Sequence, residues 1–421
     1  MDIQNRPDDP PTPLTRLTRR AFLGRAGGAV SLGFAAAFLA ACDPKDGGSS
    51  AAAPSASEAP VDWEAWWARQ PQTGRMSFAN WPFYIDTAEG NRKPSLERFT
   101  KETGIHVKYF HPIQGNASFL AAIQPYLEAG LPPFYDLIVM TNGPQVTKLI
   151  DSGWVTPLDQ SRMTNFRQYA SDLVVDPNWD PGNRHTMAWQ SGLTGIGYRP
   201  EAVEALGHAP TSIHDLFDPA LAGRVGMMSD LNDLGSFGLL AIDVEPADST
   251  EADWSKAANA LRKQRAAGIA SGYFDQSYVA ALKRGDIWAG QAWSGDIFQA
   301  QQAGSDLAFA VPDEGAMLWT DNMMIPMNAK HPADAMAFMD FVYRPDIAAM
   351  IADWVWYVSP VPAAAEIVAN DLGDPAVAKS PLVFPTQEML GSGRLKQYRV
   401  FESEAEAATW EGVFGSVRLG L

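Results

Sequence analysis

Lys93-Pro94-Ser95-Leu96-Glu97-Arg98-Phe99-Thr100-Lys101-Glu102-Thr103-Gly104-Ile105-His106-Val107-Lys108-Tyr109 holds a helix, a stop and a strand in one run. Leu96 and Phe99 fall three apart, on one helical face, and Gly104 stands where a C-terminal cap is expected. From Ile105 to Tyr109 apolar and polar residues alternate, which predicts a half-buried strand. The same punctuation continues outward. Met76–Asn80 and Asp136–Met140 read as strands, and Val146–Ser152 reads as a helix closing at Gly153. Further on, Val225–Met228, Ile287–Ala292 and Met323–Met327 read as strands, with helices over Trp254–Ala267 and Ala333–Val342. Alternation of this kind predicts an α/β fold with an open, largely parallel sheet, and no fixed-period repeat is present.

The N-terminus does not read as part of that fold. Thr18-Arg19-Arg20-Ala21-Phe22-Leu23 has the form of a twin-arginine export signal. The apolar run from Ala26 to Ala41 is shorter than the roughly 20 residues that a membrane span needs. It ends in Leu39-Ala40-Ala41-Cys42, which resembles a bacterial lipobox, so residues 1–41 are expected to be a signal and Cys42 to carry lipid. Asp43 resembles the residue that keeps many such lipoproteins at the inner membrane. An uncleaved transmembrane anchor and an N-terminal helix of the domain are the alternatives. Residues 42–73 are the expected lipidated cysteine and tether, flexible where Gly47–Pro60 is rich in Gly, Ser, Ala and Pro. Cys42 is the chain's one cysteine, so a disulfide within the chain is excluded.

About 360 residues follow the tether, which suits two lobes. The formal charge is −17, and the first 41 residues hold five arginines against three aspartates, so the remainder is near −19. That charge disfavours nucleic acid as a partner and favours a cationic ligand, although acidity also serves solubility alone. The six histidines are scattered, without the paired spacing of a zinc helix, and neither a nucleophile elbow nor a phosphate loop occurs. Gly195-Ile196-Gly197 lacks the third glycine of a dinucleotide fingerprint and reads as strand or hinge. Catalysis, a cofactor and a metal are therefore not expected.

Aromatic residues and acids recur instead. Trp81 and Tyr84, Thr141, Asp230 and Asp233, and Trp293 and Asp296 follow predicted strands, where open α/β sheets bind ligands. Trp293-Ser294-Gly295-Asp296 and Trp319-Thr320-Asp321 each pair an indole with a carboxylate, which suits an organic cation. For each residue a plainer role stands beside this one: tryptophans fill cores, and Asp230 and Asp233 could cap a helix.

Taken together, the chain resembles the spermidine/putrescine-binding proteins of bacterial ABC importers from about Met76 to at least Tyr357. The resemblance is carried by Asn80-Trp81 with Tyr84, by Phe99-Thr100-Lys101-Glu102-Thr103-Gly104-Ile105 and by Tyr135-Asp136-Leu137. It continues through Pro157-Leu158-Asp159, Gly195-Ile196-Gly197-Tyr198, Trp293-Ser294-Gly295-Asp296, Glu314-Gly315-Ala316-Met317 and Arg344-Pro345-Asp346. It implies a two-lobed periplasmic binding protein of type II, each lobe an open mixed sheet flanked by helices, with a hinge between them. Lobe one would hold 74–192 and 297–343, and lobe two 193–296 and 344–421.

Carried over residue by residue, Trp81 and Tyr84 match an aromatic wall, Thr141 a hydroxyl, and Asp230 and Asp233 an acid pair. Trp293 and Asp296, Trp319 and Asp321, and Tyr357 match the remaining ligand positions. There are departures. Pro82 replaces a common hydroxyl residue, Asp233 is shorter than the usual Glu, and Asn142-Gly143 replaces bulkier residues. The implied protein is a monomer that binds a polyamine and presents it to a membrane permease. Another organic amine, a polyamine sensor docking on a receptor and a surface hydrolase are the alternatives. Leu382–Leu421 shows little beyond a helix over Ser403–Val413.

Overall fold

A computed structural model describes residues 61–420. The expected signal, Cys42 and the tether from Gly47 to Pro60 lie outside them. The run that opens the sequence argument forms as its punctuation dictates. Pro94 starts a helix, Pro94–Thr103, at the position where its missing N–H is not needed. Asp86 caps it by accepting from the Ser95 N–H at 2.8 Å and from the Ser95 hydroxyl. Gly104 closes it at φ 76°, a conformation open to glycine at little steric cost.

Ten strands follow in chain order: β1 (Arg75–Ala79), β2 (His106–Phe110), β3 (Leu137–Thr141), β4 (Met187–Tyr198) and β5 (Val225–Met228). Then come β6 (Ala270–Phe274), β7 (Ala289–Trp293), β8 (Ala308–Ala310), β9 (Ala316–Met324) and β10 (Leu395–Lys396). They hydrogen-bond in the order β2-β1-β3-β9-β4-β7-β5-β6, with β10 added to β9 and β8 to β4. Two parallel groups, β2-β1-β3 and β7-β5-β6, therefore flank an antiparallel pair, β9 and β4. Helices cover both groups, as parallel strands require.

The hydrogen-bond ladder is continuous, because β4 and β9 are long enough to serve both groups. Met187–Thr194 of β4 pairs with β9, and Thr194–Tyr198 pairs with β7. On β9, Thr320's neighbour Asp321 pairs with Thr141 of β3, while Ala316 and Met317 pair with β10. A third segment meets the same place through a bridge between Ser191 and Val358. The chain thus passes between the two groups near Gly192, Trp319 and Val358.

Two segments each keep to one group. Ile297, Ala300 and Leu307 pack with Met228, Tyr278 and Leu282, so the segment after Asp296 stays with the second group. The helix Pro345–Val355 is joined to the helix Pro94–Thr103 by Arg98–Asp346 and Arg344–Glu102 ion pairs, so it stays with the first. The expected strand Met323–Met327 is also shifted: β9 begins at Ala316, and Trp319-Thr320-Asp321 lies within it. Every residue of β9 is buried, which hides the alternation that marks a half-exposed strand.

Candidate ligand-binding cleft

Each element ends at the same opening. After β1, the buried Asn80 accepts from the Trp81 N–H at 2.9 Å and donates to the Tyr84 carbonyl at 3.2 Å. That turn passes through Phe83 at φ 57° and presents Trp81 and Tyr84 to the opening. Thr141 is the last residue of β3. Asp230 caps the helix Leu231–Leu240, accepting from the N–H groups of Asn232 at 2.9 Å and Asp233 at 3.1 Å. Its capping role and its place at the cleft are both real, so the two readings of this residue are not exclusive. Trp293 ends β7, and Asp296 lies in the first turn of the helix Ser294–Gln302.

All ten residues singled out in the sequence line one cavity of about 400 Å³. Trp81, Tyr84, Thr141, Trp319, Asp321 and Tyr357 meet Asp230, Asp233, Trp293 and Asp296 there. The rings form a connected wall. Trp293 stands edge-on to Trp319 at 6.5 Å, Trp319 lies 5.5 Å from Tyr357, and Tyr357 stands edge-on to Tyr84 at 5.4 Å. Two glycines make room for it: a Cβ at Gly192 would overlap the Trp319 indole, and one at Gly295 would overlap the Tyr357 ring.

Three of the four acids are buried, and neutral donors hold them. Asp321 accepts from the Thr141 hydroxyl at 2.6 Å. The Tyr84 hydroxyl, also buried, faces the same carboxylate outside close hydrogen-bond geometry. Asp296 accepts from Tyr278 and Tyr357, each at 2.9 Å. Asp233 accepts from Trp293 Nε1 at 2.9 Å and from the Tyr398 hydroxyl at 2.5 Å. Among the described residues, no Lys, Arg or His pairs with any of the four acids. Burial pushes the carboxyls of Asp233 and Asp321 up to about 6, and the neighbouring Asp230 adds to the shift at Asp233. Burial raises Asp296 as well. Negative charge is thus gathered in an enclosed aromatic site, where Lys283 acts on Asp296 and Arg418 on Asp230 only from a distance.

Tyr278 and Tyr398 were not found from the sequence. Tyr278 opens a helix more than a dozen residues before Asp296. Tyr398 lies in the C-terminal stretch that carries no periodic signal. Neither has a local pattern that marks it, since its role depends on which carboxylate the fold brings to it. No group of metal-ligating side chains occurs among the described residues, and no described helix is long and apolar enough to cross a membrane.

The fold recurs in solved structures. A spermidine/putrescine ABC transporter substrate-binding protein of Streptococcus pneumoniae superposes with a TM-score of 0.68 at 22% identity, covering 83% of this chain and 99% of that one. A periplasmic binding protein of Agrobacterium tumefaciens in complex with agropinic acid superposes with a TM-score of 0.56 at 19% identity, covering 83% of this chain and 98% of that one. The fold alone therefore does not select the ligand. In sequence, the spermidine/putrescine-binding periplasmic protein of Escherichia coli strain K12 is 29% identical over 320 residues, 76% of this chain and 85% of that protein. Residues 95–385, more than half of the chain, match the bacterial extracellular solute-binding proteins, and this chain belongs to that family.

Proposed function

We propose that this chain is an extracytoplasmic polyamine-binding protein that delivers putrescine or spermidine to an ABC import permease and performs no chemistry on it. The observation that carries the reading is the set of buried carboxylates held by neutral hydroxyl and indole donors and enclosed by tryptophan and tyrosine rings. A polyamine supplies what such a site lacks: ammonium groups for the carboxylates and methylenes for the rings. Each ring–cation contact contributes roughly 0.5–2 kcal/mol and each charged hydrogen bond roughly 1.5–3 kcal/mol, so a few of each reach micromolar affinity. The relative that binds spermidine and putrescine by name supports the same choice.

In this reading Trp81, Tyr84, Trp293, Trp319 and Tyr357 pack the methylenes, while Asp230, Asp233, Asp296 and Asp321 receive the ammonium protons, with Thr141 orienting Asp321. One lobe is built on β2-β1-β3 and the other on β7-β5-β6, hinged where β4, β9 and the Val358 segment cross. The protein reaches the exterior by the twin-arginine route and remains on the inner membrane through lipid on Cys42.

Calorimetry on the protein lacking residues 1–42 tests the ligand. Saturable binding of putrescine or spermidine is expected, and absence of heat with either one sinks the reading. A Cys42→Ala variant that stays with the membrane fraction overturns the anchor.

A further inference from the structure

The C-terminal stretch reaches the cleft through one side chain. Tyr398 follows β10 by two residues, is buried, and donates its hydroxyl to Asp233 Oδ1. Trp293 Nε1 donates to the other oxygen of the same carboxylate. The Thr194 hydroxyl of β4 lies beside Asp233 and accepts from Trp319 Nε1 at 3.2 Å. Both tryptophans of the two Trp–Asp segments are therefore fixed around one carboxylate. A carboxylate held on both oxygens cannot turn without breaking a hydrogen bond. Releasing one oxygen frees it to rotate and takes the fixed acceptor from the indole.

We propose that Tyr398 is a positioning residue of the cation site, which holds Asp233 so that Asp233 holds the Trp293 indole in the ligand wall. The identity of the ligand rests on the function proposed above, whereas the positioning does not. The groups facing Asp233 are Asp230 on its own helix, Thr194 from β4, Trp293 from β7 and Tyr398, with Arg418 acting on Asp230. Of these, Asp230 opposes ionisation of Asp233, and the three donors favour it. Burial and the two carboxylates keep the Tyr398 phenol far above its ordinary ionisation range, so it remains a donor throughout.

Tyr398→Phe removes the hydroxyl and little else. At pH 7 its affinity for putrescine and spermidine should fall about fivefold, the size of one lost hydrogen bond acting through a neighbour. The same change made in Asp233→Asn should add almost nothing. A second readout needs no ligand: the Trp293 indole N–H resonance, assigned by its loss in Trp293→Phe, should titrate with Asp233. Its midpoint should move upward in Tyr398→Phe, because a donor to the ionised carboxylate is gone. Unchanged affinity together with an unchanged midpoint overturns the proposal. A wild-type protein that binds neither polyamine overturns the function above, and the ligand-free midpoint still decides for or against Tyr398.

Discussion

The two sides of the cleft handle buried charge differently. On the side of β5 and β7, Asp233 and Asp296 each accept two hydrogen bonds from phenol or indole donors. On the side of β1, β3 and β9, Asp321 accepts closely from Thr141 alone, while the Tyr84 hydroxyl faces it outside close hydrogen-bond geometry. A buried polar group left short of partners costs about 1–3 kcal/mol, and more if it is charged. The first side is thus prearranged in the absence of ligand, and the second is completed by whatever binds. Under the proposed function, the larger share of ligand selection would fall to Asp321 and of cleft shape to Asp233 and Asp296.

The largest expected effect breaks or keeps that division. Asp321→Asn should weaken polyamine binding by about a hundredfold, since removing one partner of a desolvated charge pair costs about 2–5 kcal/mol. Asp296→Asn should cost about tenfold less in affinity but more in unfolding free energy, because two tyrosine donors lose their charged acceptor. Equal losses of affinity in the two variants, measured by calorimetry, end the comparison.

A smaller effect comes from pH. Polyamine ammonium groups stay protonated far above neutrality, so a change between pH 7 and pH 5 belongs to the protein. With Asp321 and Asp233 each near 6, affinity should fall roughly tenfold for each of the two that the ligand needs ionised as pH drops from 7 to 5. The ligand-free protein should respond in the opposite direction. A carboxyl whose folded pKa lies above its unfolded value adds stability at low pH and loses it as pH rises through about 6. The melting temperature of the free protein, compared with that of Asp321→Asn, should therefore rise more for the wild type between pH 7 and pH 5. An identical slope in the two proteins removes Asp321 as the titrating group.

The smallest effect is expected at Asp230, which is exposed and engaged as a helix cap. Asp230→Asn keeps an acceptor for the cap and should change affinity by less than about threefold, whereas Asp230→Ala should lose about 1 kcal/mol of stability. A large loss of affinity in Asp230→Asn would transfer selection to the cleft mouth.

The local punctuation was legible because it depends on neighbours in the chain. Gly104 had to stop its helix, and Val225–Met228 had no side on which to be polar. The ten cleft residues could be nominated because indoles, phenols and carboxylates stood at the ends of predicted strands or in the Trp–Asp segments. Misreadings arose where burial erased a pattern. All nine residues of β9 are buried, so the strand seemed to begin after Asp321 rather than before Trp319. Packing partners are hidden for a similar reason: nothing near Asp296 or Tyr343 in sequence records that Leu307 packs on Tyr278, or that Asp346 pairs with Arg98.

By itself, the sequence determined the α/β class, the alternation of helix and strand, and the kinds of side chain that could meet a cation, since these follow from residue chemistry and short-range periodicity. The tertiary structure decided which donor each acid would have. Tyr398 reaches Asp233 across 165 positions of chain, and Thr141 reaches Asp321 across 180. Hydrogen bonds act over about 3 Å of space, and only the folded sheet brings such positions that close.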